Sequence, residues 1–265
     1  MNQPPELSRR RFLRTSAMAA GAALAPRLAM GAVLPSSLRV LSSNVWYGFT
    51  KKPQRKKQWL AFMKQRAPSV VSLQELNGYT AEQLAEDARS WDHPYCVLLK
   101  ESGFATGFTS DSPITDVQRM LDGYHHGLMR CQSHGIYFYV VHLHPSNWEF
   151  RLREVDLLLN DIAGLPAGAK FLLVGDFNTF SPRDKSVYDA IPTIVPFFKR
   201  LDAQTQGVNL CNGELDYRHI ERVEASGLVD LVARERSAFH GTFPTKLRAD
   251  EDMGPERRLD YIFAC

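Results

Sequence analysis

Residues 171 to 178, FLLVGDFN, place two polar side chains directly after an apolar run. Asp176 and Asn178 flank Phe177, and residues two apart in a strand point to the same face while the residue between them points to the other. A carboxylate and an amide on one face can accept a proton from a ligand and donate a hydrogen bond to it. The same Gly-Asp-x-Asn composition also occurs in ordinary turns. This stretch is therefore either a polar turn or the floor of an active site.

Three further apolar runs end in a polar residue that could carry chemistry. Asn44 follows LRVLSS, Glu75 follows VVSLQ, and His142 follows IYFYVV. In sheets flanked by helices, ligands collect at strand ends because the scaffold holds side chains rigidly at the rim of a cleft. Each residue alone is typical of a solvated strand end or a turn. Together with Asp176 and Asn178, in this order, they predict a functional site.

The elements that must position these residues are strands and helices in alternation. Short β-branched or aromatic runs predict strands at 37–44, 69–75, 95–99, 106–109, 116–120, 128–131, 135–142 and 169–178. Apolar residues at helical spacing predict helices at 58–66, at 81–91, and from Ser146 or Asn147 to about 162. Because several strands follow one another between the helices, mixed sheets are favoured over a pure βαβ barrel.

The third predicted helix has an apolar face and a polar face. Its helical spacing assigns to the buried side the residues Phe150, Val155, Leu158 and Leu159. The residues assigned to the more polar side are Arg151, Arg153, Glu154 and Asp156.

Taken together, these segments resemble the endonuclease/exonuclease/phosphatase superfamily, whose members include DNase I-like nucleases, abasic-site endonucleases, sphingomyelinases and inositol-polyphosphate phosphatases. The matching segments are LRVLSSNVWYG, VVSLQELN, SGFATGFTSDSPI, VVHLHP, LLVGDFNTF and ERRLDYIF. GDFN together with RLDYIF is the most specific pair, and the resemblance runs from about Leu38 to the end. It implies a four-layer α/β sandwich, in which two mixed β-sheets pack face to face with helices outside.

The resemblance also implies hydrolysis of a phosphoester. A phosphodiester resists attack because its charged oxygens repel nucleophiles, so a catalyst must neutralise charge and position a water in line. By the family's pattern, Glu75 would hold Mg²⁺ or Mn²⁺, with Asn44 as a neutral ligand or as a partner that orients the ligand.

The remaining site residues are also carried over from the family's pattern. Asp176 would orient or deprotonate the attacking water, and Asn178 would donate its amide to a phosphate oxygen. His142 would donate to the phosphate, and Asp260 matches the family's partner of a later histidine. His144 is assigned a structural or substrate-edge role.

An alternative for the two histidines is an H-x-H metal pair like that of metallo-β-lactamases. That pair expects a following Asp and His, which Pro145-Ser146-Asn147 does not supply.

The superfamily's pattern continues past RLDY with a Ser-Asp-His triplet and a last strand, whereas the sequence stops at Cys265. The domain, residues 32–265, is therefore predicted to be C-terminally incomplete, with its last strand missing, Asp260 without its partner, and an unpaired edge beside 259–265. We expect the gene to continue past Cys265 with Ser-Asp-His and a final strand. The alternative is a catalytically weakened or dead exported homologue that only binds.

The N-terminus predicts export. Ser8-Arg9-Arg10-Arg11-Phe12-Leu13-Arg14 is followed by an Ala-rich stretch too short to span a bilayer, and it resembles the bacterial twin-arginine signal. We predict a signal peptide over residues 1–31, the twin-arginine translocation machinery as a partner, and a periplasmic or extracellular location. Such a compartment permits disulfides among the cysteines at 96, 131, 211 and 265, although none has C-x-x-C spacing.

Charge and length limit the remaining possibilities. Five of the 32 basic and one of the 29 acidic residues lie in residues 1–31, which leaves 27 against 28 in the body of the chain. A near-neutral body counts modestly against a dedicated nuclease that holds nucleic acid by charge alone. The substrate is predicted to be nucleic acid, a phospholipid head group or a sugar phosphate such as an inositol phosphate. We expect a monomer with one large domain and no transmembrane span.

Overall fold

Ten strands form two mixed sheets in the computed structural model, which describes residues 37–236, 238–246 and 253–265. The first sheet has the order β1-β2-β4-β3 and contains β1 (Val40–Asn44), β2 (Val70–Gln74), β3 (Tyr95–Leu98) and β4 (Gly107–Ser110). Only β1 and β2 run parallel in it. The predicted signal peptide, residues 1–31, lies outside the described residues.

The second sheet has the order β5-β6-β7-β8-β10-β9, and only β7 and β8 run parallel. Its strands are β5 (Thr115–Met120), β6 (Leu128–Ser133), β7 (Ile136–His142), β8 (Phe171–Asp176), β9 (Val229–Asp230) and β10 (Asp260–Ala264). The helices of the described chain are α1 (Gln54–Arg66), α2 (Ala81–Arg89), α3 (Trp148–Ala163), α4 (Lys185–Asp189), α5 (Ile194–Thr205), α6 (Arg218–Ala225) and α7 (Leu231–Glu235).

The two sheets pack face to face through alternate residues of their strands. Val70 and Phe108 of the first sheet share a buried cluster with Phe138, Val140 and Val174 of the second. The rings of Phe108 and Phe138 lie 4.9 Å apart between centroids. Because side chains alternate along a strand, the intervening residues face outward toward helices.

The outward faces of both sheets are covered by helices. Leu73 of β2 packs with Leu84 of α2, and Leu173 of β8 packs with Val155 of α3 and Val223 of α6. The chain therefore has the predicted four layers, with two sheets inside and helices outside.

Helix α1 begins earlier than predicted, at Gln54 rather than at residue 58. Its first turn, Gln54-Arg55-Lys56-Lys57, is entirely polar, so the apolar periodicity that marks a helix starts only at Trp59. Pro53 precedes it with a helical φ of −58°, which favours a helix start.

The predicted polar face of α3 is partly wrong. Arg151 is 1% exposed and Glu154 is 0% exposed, because both lie one helical turn from the buried Val155 and Leu158 and face the same side. Asn147, one of the two predicted caps, accepts a hydrogen bond from the backbone N–H of Phe150 at 2.9 Å.

The predicted unpaired edge beside the last segment is wrong in part. β10 pairs with β8 through five residues, from Asp260 opposite Asp176 to Ala264 opposite Leu172. On its other side, Phe263 and Ala264 pair with β9. The short strand β9 was not predicted, because two residues are too few to show a period.

All four cysteines lie among the described residues, and none of them is disulfide-bonded. Cys131 is fully buried between the sheets, where a free cysteine packs as a small apolar side chain. Throughout the described ranges, each helix is too short or too polar to traverse a bilayer.

The packing between the sheets predicts a large stability effect at Phe138. Phe138→Ala removes a fully buried ring and should lower the free energy of unfolding by about 3–5 kcal/mol, measured by urea denaturation. Leu157→Ala, at an exposed position of α3, is the matched control and should change it by less than about 0.5 kcal/mol. Equal effects of the two substitutions would contradict the assigned core.

Candidate active site

The pairing of β7, β8 and β10 brings three predicted site residues to one edge of the second sheet. His142 ends β7 and lies opposite Asp176, the last residue of the parallel strand β8. Asp260 begins the antiparallel strand β10 and also lies opposite Asp176. The register therefore places all three residues side by side, although they come from distant parts of the sequence.

Asn44 connects this edge to the first sheet. It ends β1, and its Nδ2 donates to Glu75 Oε1 at 2.9 Å and to Asp176 Oδ2 at 3.2 Å. Its own Oδ1 accepts the backbone N–H of Trp46 at 3.0 Å, and Glu75 Oε2 accepts the N–H of Tyr47 at 3.0 Å. One amide thus contacts a carboxylate from each sheet.

The backbone turns sharply where these strands end. Trp46, Tyr47, Glu75 and Asn178 have φ values of 53°, 55°, 59° and 50°. Side-chain-bearing residues rarely adopt this left-handed conformation, and where they do they cluster at functional sites. Two of the six predicted site residues, Glu75 and Asn178, therefore lie on tight turns.

The close approach of β7 and β8 requires the glycine of the GDFN segment, Gly175. A Cβ at this position would lie 2.0 Å from the carbonyl oxygen of Val141, so any side chain would push β7 away from β8. The close approach keeps His142 beside Asp176.

Asp176 and Asn178 are tied to one another and to β7. The backbone N–H of Asn178 donates to Asp176 Oδ1 at 2.9 Å, and Asn178 Nδ2 donates to the carbonyl oxygen of Leu143 at 3.0 Å. The amide carries two hydrogens, so one of them remains for a ligand. Phe177 between them is fully buried in the core, as expected.

Three carboxylates are crowded at this edge. Asp176 is 6% exposed, and its burial, reinforced by the negative charge of Asp260, raises its pKa well above the usual range. Burial also raises the pKa of Asp260 to about 6, against the effect of its hydrogen bond with Thr242. Glu75 adds a further negative charge that acts on Asp176. This edge of the second sheet therefore favours the binding of a cation.

A cleft of about 700 Å³ opens at these residues. Its floor includes Asn44, Glu75, Asp176, Asn178 and Asp260, which are five of the six predicted site residues. The cleft also has an aromatic and basic wall, whose members include Trp46, Phe49, Trp59, Phe62, Lys52 and Arg55. The volume is in the range of small-molecule sites in proteins.

His142, the sixth predicted residue, does not line this cleft. It is 4% exposed, and its ring stacks on that of His126 with centroids 4.1 Å apart and planes at 19°. His126 in turn contacts His125 at 4.4 Å, and His125 contacts His144 at 4.0 Å. His125, His126, His142 and His144 form what we call the histidine cluster.

Two members of the histidine cluster were missed by the sequence predictions. His125 and His126 lie in the loop between β5 and β6, far from the predicted motifs. The available signal was a pair of adjacent histidines between Tyr124 and Gly127. A pair of loop histidines is ordinarily solvated, so this signal alone could not have assigned them to the site.

The buried acid of α3 anchors the histidine cluster. Glu154 Oε1 accepts the backbone N–H of His125 at 2.8 Å, and Oε2 accepts that of His144 at 2.7 Å. Arg151 Nη1 donates to the carbonyl oxygen of His144 at 2.9 Å. Burial raises the pKa of Glu154 to about 7 and lowers that of Arg151 to about 10. Both residues were predicted on the polar face, so their role was also missed.

Burial keeps His142 uncharged near neutral pH. It lowers the pKa of His142 to about 3, with smaller contributions from His125 and Lys100. A neutral imidazole has one N–H donor and one acceptor. The predicted donation to a phosphate would therefore come from a neutral ring rather than from an imidazolium.

The Endonuclease/Exonuclease/phosphatase family matches residues 41–265. The chain belongs to this family. Family membership indicates a hydrolase of phosphoester bonds. No curated protein sequence matches the chain.

Solved structures of several proteins share the fold. A humanized D. rerio TDP2 is 19% identical with a TM-score of 0.58, covering 86% of this chain and 82% of that one. An AP endonuclease from Archaeoglobus fulgidus is 14% identical with a TM-score of 0.58, covering 86% of both chains. The 3′ phosphatase NExo from Neisseria, bound to a product DNA hairpin, is 15% identical with the same score and coverage. At these identities the likeness shows the fold.

The family is generally dependent on a divalent metal, and the residues of this chain fit such an ion in part. Over the described ranges, no three residues of the His, Cys, Asp and Glu types are placed to hold a metal by themselves. Mg²⁺ is usually held by one or two carboxylates, with waters and substrate phosphate completing its shell. Glu75 supplies one carboxylate beside an acidic edge, while Asn44 directs its Nδ2 toward Glu75. The donor set therefore suits a hard ion that keeps several waters.

Burial of His126 predicts an acid-sensitive contribution to stability. Its burial, followed by its neighbour His142, holds its pKa below the usual range. A histidine with a depressed folded pKa stabilises the fold above its unfolded pKa of about 6.5, and this contribution is lost as the pH falls below that value. The unfolding free energy of wild type relative to His126→Phe should therefore fall by about 2 kcal/mol between pH 7 and pH 5.

Urea unfolding of both proteins at the two pH values measures this difference, and carboxylates common to both proteins cancel. His240→Phe, at an exposed position, is the matched control and should show no such shift. A pH-independent difference for His126→Phe would mean that His126 is not kept neutral in the fold.

Proposed function

We propose that this chain hydrolyses a phosphoester by in-line attack of an activated water, with Mg²⁺ or Mn²⁺ bound at Glu75. The observation that carries the proposal is the meeting of Glu75 and Asp176 through the amide of Asn44 at the floor of an open cleft. Two carboxylates from different sheets have no reason to share one amide in a purely structural role, because each is costly to desolvate.

The residues of the cleft have distinct proposed roles. When bound, the divalent ion supplies charge neutralisation at a phosphate oxygen. Glu75 holds it, and Asn44 keeps the Glu75 carboxylate oriented. Asp176 is held by Asn44 and by the backbone N–H of Asn178, so it can orient the attacking water and accept its proton.

The remaining roles concern the phosphate. The free amide hydrogen of Asn178 donates to a phosphate oxygen, where charge develops during attack. His142, at the end of β7, donates a hydrogen bond to the phosphate. Asp260 lies opposite Asp176 and adds to the negative field that attracts the ion.

The substrate proposed is a nucleic acid, a phospholipid head group or a sugar phosphate. The aromatic and basic wall of the cleft supports a substrate with an apolar or planar group beside its phosphate, since aromatic side chains stack on bases and cations attract phosphates. The NExo structure contains a product DNA hairpin and a D. rerio TDP2 structure contains a single-stranded DNA product. Nucleic acid is therefore the first substrate to test.

Isosteric substitutions in the cleft test the mechanism. Asp176→Asn and Glu75→Gln should each lower the turnover of bis-p-nitrophenyl phosphate by about 10²–10⁴-fold, because each removes a charge without changing size. Asp189→Asn, at an exposed carboxylate paired with Lys185, is the matched control and should leave turnover unchanged. EDTA should abolish wild-type activity, and Mg²⁺ or Mn²⁺ should restore it.

Metal binding can be measured without turnover. Titration with Mn²⁺ followed by electron paramagnetic resonance should show weaker binding to Glu75→Gln than to wild type. Wild-type turnover that is unaffected by EDTA would overturn the mechanism. Binding without turnover across plasmid DNA, RNA, sphingomyelin and bis-p-nitrophenyl phosphate would instead favour a binding homologue.

Export through the twin-arginine pathway is also proposed, on the sequence of residues 8–14 alone. Replacing Arg9 and Arg10 together by lysine keeps the charge but removes the arginine pair that the receptor reads. The double variant should accumulate in the cytoplasm, whereas wild type should reach the periplasm, as measured by fractionation and immunoblotting. Arg27→Lys lies in the same segment outside the motif and should not change the distribution. Equal periplasmic amounts of wild type and double variant would exclude this route.

A further inference from the structure

The ring of His142 lacks the support that usually orients a functional histidine. Such a ring is normally held by a hydrogen bond at the nitrogen that does not face the substrate. In His142, the Nδ1 atom is buried and has no hydrogen-bond partner. Something other than a hydrogen bond at Nδ1 must therefore hold the ring.

The ring of His126 lies where such support is needed. It stacks on His142 at 4.1 Å, with the planes only 19° apart. It also contacts Phe104 at 5.2 Å and His125 at 4.4 Å. Because His126 is itself 4% exposed, these neighbours leave it little freedom to turn.

The loop that carries His126 is anchored at its base. Glu154 accepts the backbone N–H groups of both His125 and His144, so one buried side chain ties the β5–β6 loop to the segment after β7. Gly127 has a φ of 91°, and a Cβ there would lie 2.7 Å from Leu99. The loop is therefore packed closely against its surroundings on both sides of His126.

We propose that His126 is a positioning residue, whose ring holds the imidazole of His142 at the end of β7. The inference rests on the proposed function, in which His142 donates to the substrate phosphate. The contrary possibility is that His126 is a cover that must move before His142 can act. The two alternatives predict opposite changes in kcat when the ring of His126 is removed: a positioning residue predicts a decrease, and a cover predicts an increase.

The first test measures turnover with Mg²⁺ and bis-p-nitrophenyl phosphate. His126→Ala should lower kcat by about 10–100-fold, the usual effect of losing a residue that orients a functional histidine. Its KM should remain close to that of wild type, because His126 does not line the cleft. His126→Phe keeps a flat ring for stacking and should retain most of the activity.

A matched control distinguishes the loss of kcat expected for His126→Ala from the effect of replacing any histidine of the chain. His134 lies in the turn between β6 and β7, at the opposite end of the strand that carries His142. His134→Phe should leave kcat unchanged. A kcat for His126→Ala equal to or higher than that of wild type would overturn the positioning role, and an increase would identify a cover.

The second test does not depend on activity. The ¹⁵N shifts of the two ring nitrogens report the tautomer of His142, which can be assigned with a His142→Gln variant. Wild type and His126→Phe should show the same single tautomer, whereas His126→Ala should show a mixture. An unchanged tautomer in a folded His126→Ala protein would overturn the inference. If wild type itself shows no turnover, the proposed function fails while this measurement still decides whether His126 orients His142.

Discussion

The amide of Asn44 connects the two sheets at the point where the chemistry is expected. Its Nδ2 donates to Glu75 of the first sheet and to Asp176 of the second. Without such a donor, two buried or half-buried carboxylates would face each other with only their mutual repulsion. The apolar layer between the sheets holds the strands in place. The two hydrogen bonds from Asn44 Nδ2 link the carboxylates of Glu75 and Asp176 at the edge of that layer.

The layer of side chains between the two sheets changes from apolar to polar along the strands. Toward the middle it contains Val70, Phe138 and Val174, whereas at the strand ends it contains Asn44 and Asp176. This change puts polar groups at the edge of a low-dielectric interior, where burial acts strongly on their protonation. It accounts for the raised pKa of Asp176 and the lowered pKa of His142 within one neighbourhood.

The site consists of two groups of residues, the cleft floor and the histidine cluster, which come from different parts of the fold. The cleft floor comes from strand ends, whose positions follow from sheet register. The histidine cluster comes from a loop and from α3, and it depends on Glu154, which is entirely buried and ties two loops through their backbone. A charged residue on a helix is ordinarily solvated, so Glu154 was assigned to the polar face. Its spacing from Val155 and Leu158 was a signal, but periodicity alone cannot distinguish a buried acid from an exposed one at the edge of an apolar stripe.

Local patterns in the sequence predicted mixed sheets and five of the six candidate residues, because a strand's apolar run and the polar residue that ends it are adjacent in the chain. The sandwich architecture and Asp260 came from the resemblance to the family. The GDFN and RLDYIF segments could be related to a family for the same reason. Tertiary structure alone decided which of these residues share a cleft, and it placed His142 beside Asp176 but outside the cleft lining. It also added His125, His126, Arg151 and Glu154. Their roles arise from contacts between residues up to about thirty positions apart, such as His125 with Glu154, and the free energy of such contacts depends on burial that no local pattern records.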